Sequence, residues 1–183
     1  MDPVAVKVRD AQSDEDLDEV RRLFREFVVW HQARQAQNVG LLAAYFDDAG
    51  WQGELDGLPG AYAATDGGAL LLATLEGTAV GCVALRRLDD ESCEMKRMYV
   101  DDNGRGQGAG RALGEAVVQR ARDLGYPAIH LDTSIEQYEA IALYRSLGFE
   151  EVEPYYVVPG AMREWLVFFR LDLGRPACWR WKQ

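Results

Sequence analysis

Apolar and polar residues alternate at the start of the chain, which predicts a first strand over residues 4–9. Ser13 then stands directly before the three acidic residues 14–16. A serine N-cap with an acidic first turn is typical of a helix start, because both groups compensate the free amides there. The helix is predicted to reach about His31. Its apolar residues recur at helical spacing: Leu17, Val20, Leu23, Phe24, Phe27 and Val28.

The pattern is weaker in the next stretch. Apolar residues predict a second helix over Val39–Phe46. Glycines and polar residues over residues 50–60 predict a loop, with a short turn at Glu54 and Leu55.

Three strand-like runs then follow one another closely. Ala69–Leu75 and residues 78–88 flank Glu76 and Gly77, a pair that favours a tight antiparallel turn. Ser92–Val100 follows as the third strand. The three runs therefore predict an antiparallel meander.

Helical and strand-like periods alternate in the second half of the chain. A helix ends before Gly125, a strand is predicted over residues 128–132, and another helix ends at Leu147. Residues 149–152 and 165–173 are predicted as the last two strands. A meander followed by a right-handed strand–helix–strand crossover predicts an α/β protein of the α+β type. Its central sheet is expected to be mixed and mostly antiparallel, with about six or seven strands and helices on both faces.

The composition is that of a globular protein: 183 residues, 48% hydrophobic and 27% charged. We expect one domain over residues 1–173 and a C-terminal tail over residues 174–183, in which Trp179 and Trp181 could pack back onto the domain. The net charge of −10 disfavours nucleic acid as a partner. No apolar run is long enough to span a membrane, and no signal-peptide pattern opens the chain, so we expect a cytoplasmic monomer or homodimer.

Metal and disulfide sites are also disfavoured. The three cysteines form no even framework and no metal-binding spacing, and the chain has only two histidines. We therefore expect reduced thiols and no metal.

A strand-like run, a glycine-rich loop and a helix follow one another between residues 94 and 124. This order favours an anion site, because the free amides and the dipole of a helix N-terminus attract negative charge. The loop is not a Walker-type loop, which needs Lys and then Ser or Thr after its last glycine, because Arg111 and Ala112 stand there. Nor does it match the dinucleotide fingerprint, whose third glycine would fall on Arg111.

Two motifs identify the anion more closely. Residues 105–110 fit the pattern (Gln or Arg)-x-x-Gly-x-(Gly or Ala), and residues 137–149 contain an Ala-x-x-Leu-Tyr-x-x-x-Gly-Phe helix end. The second motif is formed by Ala140, Leu143, Tyr144, Gly148 and Phe149. In this order and separation the motifs resemble those of the GNAT superfamily of acyl-coenzyme A N-acyltransferases. The resemblance extends from Leu70 to Leu173 and implies the GNAT fold, with acetyl-CoA as co-substrate.

The resemblance also implies which residues bind acetyl-CoA. Loop amides would contact the pyrophosphate, and Arg105 and Arg111 would add charge-assisted hydrogen bonds. The preceding strand would carry a bulge and leave backbone groups free for the pantetheine arm. Gln137 stands where the family often has an asparagine that contacts pantetheine. The implied cofactor residues are Met98, Tyr99, Val100, Arg105, Gly106, Gln107, Gly108, Ala109, Gly110, Arg111 and Gln137.

The resemblance suggests two catalytic residues. Tyr144 corresponds to the tyrosine that, in many members, donates a proton to the departing thiolate; the alternative is a tyrosine that only packs on its helix. Glu94 stands where some members keep a carboxylate that acts as base, directly or through water. Its alternative role is a strand residue that pairs with Lys96 on the same face.

Substrate contacts are open to two interpretations. Arg97 and neighbouring cations on adjacent strands could hold an acceptor carboxylate, or form cross-strand pairs with acidic residues. Tyr155 lies in a segment that often contacts the substrate in the family, but it could also cover the edge of the core.

The predicted function is transfer of an acetyl group from acetyl-CoA to a primary amine of a small molecule, amino acid-like or other, within a ternary complex. Two alternatives remain: a non-catalytic acyl-CoA-binding sensor, and an acetyltransferase acting on protein N-termini or lysines. A sensor would need neither Tyr144 nor Glu94.

Overall fold

Seven strands form one mixed sheet in the computed structural model, which describes residues 5–174 apart from the side chains of residues 48 and 49. In chain order they are β1 (Lys7–Asp10), β2 (Ala69–Leu75), β3 (Thr78–Arg87), β4 (Ser92–Val100), β5 (Ala128–Ser134), β6 (Glu150–Val152) and β7 (Leu166–Asp172). Across the sheet their order is β1-β2-β3-β4-β5-β7-β6. Every neighbouring pair is antiparallel except β4 with β5. The predicted sheet type is therefore confirmed.

Within the described residues, five α-helices cover the two faces of the sheet. They are α1 (Asp14–Arg34), α2 (Val39–Phe46), α3 (Asp48–Asp56), α4 (Ala109–Asp123) and α5 (Tyr138–Ser146). Helices α4 and α5 pack with one face of the sheet in one hydrophobic cluster. Helices α1, α2 and α3 pack on the other face in two further clusters. Helices on both faces were predicted, and this is confirmed.

Helix α1 begins as its sequence predicts. The Ser13 hydroxyl accepts the Asp16 amide, and the Asp16 carboxylate accepts the Ser13 amide in return, which forms a capping box. Arg9 of β1 forms an ion pair with Asp16 at 2.5 Å. The helix continues to Arg34, three residues beyond the predicted end, and brings His31 and Arg34 to the edge of the site described below.

The prediction of a loop over residues 50–60 is wrong for its first half, because α3 occupies Asp48–Asp56. Two glycines lower the helical propensity of this segment. Packing outweighs that cost: the Trp51 ring stacks on Phe24 at 6.0 Å, and Leu55 is buried. Single-sequence patterns do not contain such long-range contacts.

The end of β5 also differs from prediction. β5 extends two residues past residue 132, because β7 pairs with it as far as Ser134 opposite Leu166. The proposed packing of Trp179 and Trp181 lies outside the described residues.

Candidate active site

Strands β4 and β5 begin as a parallel pair and then diverge. Their register covers three pairs, the last of which joins Glu94 to His130. Both strands continue, β4 to Val100 and β5 to Ser134. Since β4 stays paired with β3 and β5 with β7, the sheet opens between them. The facing edges are left with backbone groups that an extended ligand could use.

A β-bulge at Arg97 redirects the second half of β4. The β3–β4 register shifts between Cys82 and Ala84, and Arg97 has a φ of 57°, uncommon for a residue with a side chain. After the bulge, Met98 packs on the α4 side and Tyr99 on the α1 side. The bulge implied by the family resemblance is therefore present.

The glycine loop leads from β4 into the N-terminus of α4. Gly106 and Gly108 have φ values of 73° and 84°, a region that favours glycine. A Cβ built on either residue would meet no protein atom within 4 Å. Within residues 5–174, the amides of residues 108–111 donate to no protein acceptor. Free amides, a helix dipole and open space in front of them fit a phosphate group.

A cleft of about 450 Å³ passes through the opening between β4 and β5. We call the part next to α4 and α5 the motif side; it is lined by Met98, Val100, Gly106, Gly110, Leu143 and Tyr144. We call the part next to α1 and α2 the aromatic side; it is lined by Phe27, Trp30, His31, Tyr45, Phe46 and Trp165. The predicted cofactor residues Tyr99, Arg105 and Gln137 also line the cleft. Gln107, Gly108, Ala109 and Arg111 belong to the loop and first turn beside the motif side.

Tyr144 lies on the motif side and is 6% exposed. Burial raises the pKa of its hydroxyl, and the negative charge of Asp132 raises it further. The hydroxyl therefore stays protonated at neutral pH, and within the described residues it has no hydrogen-bond partner. The ring packs near Phe149 and Phe169, with ring centres 6.1 and 6.2 Å away. Tyr144 thus packs in the core with its ring and leaves its hydroxyl to the cleft.

His31 is held as a neutral imidazole. The side-chain amide nitrogens of Gln35 and Gln137 lie 3.1 and 3.2 Å from its Nδ1. Because an amide nitrogen only donates, Nδ1 accepts and the ring proton is on Nε2. Burial lowers the pKa of His31 to about 4, and the charges of Arg97 and Arg34 add to this effect. Gln137, the predicted pantetheine contact, therefore commits its amide nitrogen to His31.

Where the strands diverge, Arg86, Glu94, Lys96 and Asp132 form what we call the charge cluster. The Glu94 carboxylate is 1% exposed and accepts hydrogen bonds from Arg86 Nε and the Tyr155 hydroxyl, both at 2.6 Å. Burial alone would raise the Glu94 pKa, but Lys96 and Arg86 outweigh burial and hold it below its usual value. Glu94 is therefore ionised at neutral pH and is already engaged by these partners.

The two predicted substrate residues are also engaged by protein groups. Arg97 lines the cleft, but its guanidinium binds both carboxylate oxygens of Glu54, at 2.9 and 2.7 Å. It also lies over the rings of Phe46 and Trp51, 5.3 and 4.9 Å from their centres. Tyr155 donates its hydroxyl to Glu94 and lies outside the cleft lining.

A second groove, of about 600 Å³, lies at the other end of β4 and β5. Its lining includes Arg86, Glu94, His130, Tyr155 and Arg170. The groove contains neither sequence motif and does not include the strand opening. The cleft is therefore the better candidate for the active site.

The sequence did not single out several residues that the fold brings to the cleft. His31 lies one helical turn from Phe27, but its spacing does not reveal which groups it meets. Tyr45 donates its hydroxyl to Asp132 at 2.8 Å, a contact across 87 residues. A signal existed only for Asp132, a polar residue at the carboxyl end of a predicted strand, where parallel sheets place ligands.

Comparisons with known proteins agree with these motifs. The model of the acetyltransferase (GNAT) family matches residues 17–149. An uncharacterised N-acetyltransferase of Schizosaccharomyces pombe is 31% identical over 176 residues, which cover 96% of this chain and 99% of that protein. N-acetylaspartate synthetase of Xenopus tropicalis is 39% identical over 119 residues, but these cover only 62% of this chain and 44% of that protein.

Solved structures share the fold. An acetyltransferase of the GNAT family from Staphylococcus aureus superposes with a TM-score of 0.67 at 22% identity, over 92% of this chain and 99% of that chain. An acetyltransferase of Salmonella typhimurium, solved with its cofactor acetyl-CoA, gives a TM-score of 0.64 at 21% identity, over 94% and 96% of the two chains. None of the helices in the described residues has the length and apolar character needed to cross a bilayer. Since a family match over most of the chain and a relative aligned along its whole length both agree with the two motifs, this chain belongs to the GNAT family of acyl-CoA-dependent N-acetyltransferases.

Proposed function

We propose that this enzyme transfers an acetyl group from acetyl-CoA to a primary amine of a small molecule, by direct attack within a ternary complex. The observation that carries the proposal is the cleft that passes through the opened sheet. Its motif side and its aromatic side meet between β4 and β5, so two ligands that enter from opposite faces would touch there.

The residues on the motif side fit the cofactor. The free amides of residues 108–111 would bind its pyrophosphate, and the backbone edge of β4 beyond the bulge would pair with its pantetheine arm. Arg105 belongs to the same loop and lines the cleft, where its guanidinium lies over Trp30 at 5.0 Å and forms an ion pair with Asp102. When bound, acetyl-CoA supplies a thioester whose acetyl group passes to the amine and whose sulfur leaves as a thiolate.

Two groups of the chain would act on that chemistry. A backbone amide near Met98 to Val100 would polarise the thioester carbonyl by donating a hydrogen bond to its oxygen. Tyr144 would donate its phenolic proton to the leaving sulfur. Its raised pKa keeps the phenol protonated at neutral pH, so the proton is present when the sulfur leaves.

Glu94 enters the proposal as the base, but only through a relay. Its carboxylate is buried and bound by Arg86 and Tyr155, and it is not among the residues that line the cleft. A proton from the amine would therefore reach it through water.

An amino acid-like acceptor is supported by the name of one relative. The Xenopus protein is an N-acetylaspartate synthetase, and the name describes an N-acetylated amino acid. The alignment with that relative covers less than half of it, so its acceptor is a guide to the class only.

The test is release of coenzyme A thiol from acetyl-CoA when single amines are added to the purified enzyme. We expect saturable thiol release with at least one small amine and stoichiometric formation of its N-acetyl product. Tight binding of acetyl-CoA without release for any small amine would contradict an enzyme of small amines and favour the sensor. Release with peptides alone would favour an acetyltransferase of proteins.

Binding at the loop can be tested with a matched pair of variants. Gly108 and Gly77 have φ values of 84° and 86°, and a Cβ on either would meet no protein atom within 4 Å. Gly108→Val and Gly77→Val therefore impose the same kind of backbone strain. By calorimetry, Gly108→Val should lose acetyl-CoA affinity and Gly77→Val should keep it. Equal acetyl-CoA affinities of the two variants would mean that the pyrophosphate of acetyl-CoA binds elsewhere.

A further inference from the structure

Lys96 is the cation of the charge cluster that reaches the cleft. Its side chain is 13% exposed, and it lines the cleft beside the aromatic side. Its ammonium lies 3.6 Å from Glu94 Oε1 and 3.8 Å from Asp132 Oδ1. Both distances exceed a normal hydrogen bond. Within the described residues Lys96 therefore has ionic neighbours but no hydrogen-bond acceptor for its three protons.

The other cations that line the cleft are held more tightly. Arg97 is bound by both oxygens of Glu54, and Arg34 donates to both oxygens of Glu139, at 2.9 and 2.6 Å. Arg105 forms an ion pair with Asp102. Among the described residues of the cleft, Lys96 is thus the cation best placed to accept a new anionic partner.

The charge cluster sets the charge of the ligand that fits beside Lys96. Arg86 and Lys96 balance Glu94 and Asp132, so the cluster is neutral as a whole. A bare ammonium ion would add an unpaired positive charge next to Lys96. A zwitterion adds no net charge: its carboxylate can approach Lys96, and its own ammonium compensates the negative charge of that carboxylate.

Aromatic rings form much of the wall on the aromatic side of the cleft. Phe27, Trp30 and Tyr45 are partly buried aromatic residues that line the aromatic side, with Phe46 and Trp165 buried behind them. Partly exposed aromatic rings in a cleft favour an apolar or aromatic ligand group. With a single available cation, the site provides for one carboxylate and not for two.

We propose that the acceptor is an α-amino acid with one carboxylate and an apolar or aromatic side chain, and that Lys96 binds its carboxylate. This inference rests on the proposed function, since it names the substrate class of the same cleft. An acceptor with one carboxylate also distinguishes this enzyme from an enzyme that acetylates an amino acid with two carboxylates, such as aspartate.

The experiment compares ligands that differ only in the carboxylate. Initial rates of thiol release are measured with L-phenylalanine, L-phenylalaninamide and L-aspartate, for the wild type, Lys96→Met and Lys96→Arg. The amide keeps the size of the amino acid but lacks its negative charge, and it also stands for a peptide N-terminus. For each ligand, the rate of the variant is divided by the rate of the wild type. The different basicity of the two amines then cancels, because it is the same for both enzymes.

We expect Lys96→Met to lower kcat/KM for L-phenylalanine by about ten- to hundredfold, as for loss of a hydrogen bond to a charged group. Its kcat/KM for L-phenylalaninamide should change by less than about threefold, because that ligand makes no ion pair with Lys96. Lys96→Arg should keep most of the activity on L-phenylalanine. L-aspartate should be a poorer acceptor for the wild type than L-phenylalanine.

An equal loss on both ligands with Lys96→Met would overturn the inference, as would a wild type that prefers L-aspartate. If Lys96→Met does not fold, the wild type is tested alone with L-phenylalanine and L-phenylalaninamide. The inference is overturned if kcat/KM for L-phenylalanine exceeds that for the amide by no more than the difference in amine basicity explains. In either case thiol release with some amine leaves the proposed function standing. No release with any amine, with acetyl-CoA still bound, would instead overturn the proposed function and the inference with it.

Discussion

Tyr144 combines a packed ring with a hydroxyl left to the cleft, and these two parts can be separated by mutation. Tyr144→Phe should keep the packing with Phe149 and Phe169 but remove the proton. We expect kcat to fall roughly 10- to 1,000-fold with nearly unchanged acetyl-CoA affinity, as for a general acid used in the transition state. Steady-state kinetics and calorimetry measure both.

Tyr126→Phe is the control for the loss of a buried hydroxyl. The Tyr126 hydroxyl donates to the Gly67 carbonyl at 2.8 Å, away from the cleft. This variant should lose some stability and little activity. If Tyr144→Phe behaves in the same way, Tyr144 packs in the core and does not act as an acid.

Glu94→Gln tests the proposed relay. The change is nearly isosteric, but glutamine cannot accept the proton. Because more of the amine is protonated at low pH, we expect the loss in kcat/KM to be largest there and to shrink as pH rises. The lowered pKa of Glu94 makes it a weak base, so the loss should be about tenfold at most at neutral pH. Initial rates from pH 6 to 9 give the profile, and a loss that is constant across it would make Glu94 a residue that positions Lys96 and Tyr155.

Residues of the candidate site could be predicted from the sequence where they belong to a short local motif. The glycine loop and Tyr144 belong to short continuous patterns, and the fold places both at the cleft. The role of His31 and the pairing of Arg97 with Glu54 depend on contacts across 106 and 43 residues, which no local pattern encodes.

At the level of elements, α3 stabilises the bulge in β4. Glu54 of α3 binds the Arg97 guanidinium with both oxygens and also accepts the Tyr62 hydroxyl at 2.6 Å. Arg97 is 9% exposed at its side chain, so it is a buried charge that this one carboxylate neutralises. The segment that sequence patterns assigned to a loop therefore supports the strand that opens the active site.

Glu54→Ala should leave the buried guanidinium of Arg97 without a carboxylate partner. Breaking a buried ion pair on one side typically costs about 3 to 5 kcal/mol in the free energy of unfolding. Urea denaturation of the variant measures that loss. The double variant Glu54→Ala, Arg97→Met removes both charges and should recover a large part of it, because no buried charge is then left unpaired. A loss below about 1 kcal/mol in the single variant would mean that water or another group already neutralises Arg97.

The whole fold was more predictable than the site. The order of strand and helix periods along the chain, together with the rule that crossovers are right-handed, is enough to give a meander joined to a parallel pair. The seven-stranded sheet confirms it. The residue at which β4 and β5 separate is not visible in the local sequence pattern, because it depends on the bulge at Arg97 in β4 and on the pairing of β5 with β7 along its other edge.

Stability of the whole molecule should depend on pH through its two histidines. Burial lowers the pKa of His31 to about 4, and burial together with Arg170 also lowers the pKa of His130. In the unfolded chain both should titrate near 6.5. As pH falls below about 6.5, the unfolded state therefore binds protons that the folded state does not, and the free energy of unfolding decreases. The contribution of His31 is fully present above about pH 6.5 and is lost as pH falls toward 4.

Between pH 7 and 5 this effect should amount to about 2 kcal/mol from His31 alone. The carboxylates with lowered pKa, such as Asp16 and Glu54, add their own loss only below about pH 4.5. Urea denaturation at pH 7, 6 and 5 measures the slope, and NMR of the two imidazole rings assigns it. His31→Asn keeps an oxygen near the position of Nδ1 for the Gln35 and Gln137 amides, so it should fold and show a shallower slope. Equal stability at pH 7 and 5 in the wild type, or a His31 resonance that titrates near 6.5 in the folded protein, would show that His31 is not held neutral by burial.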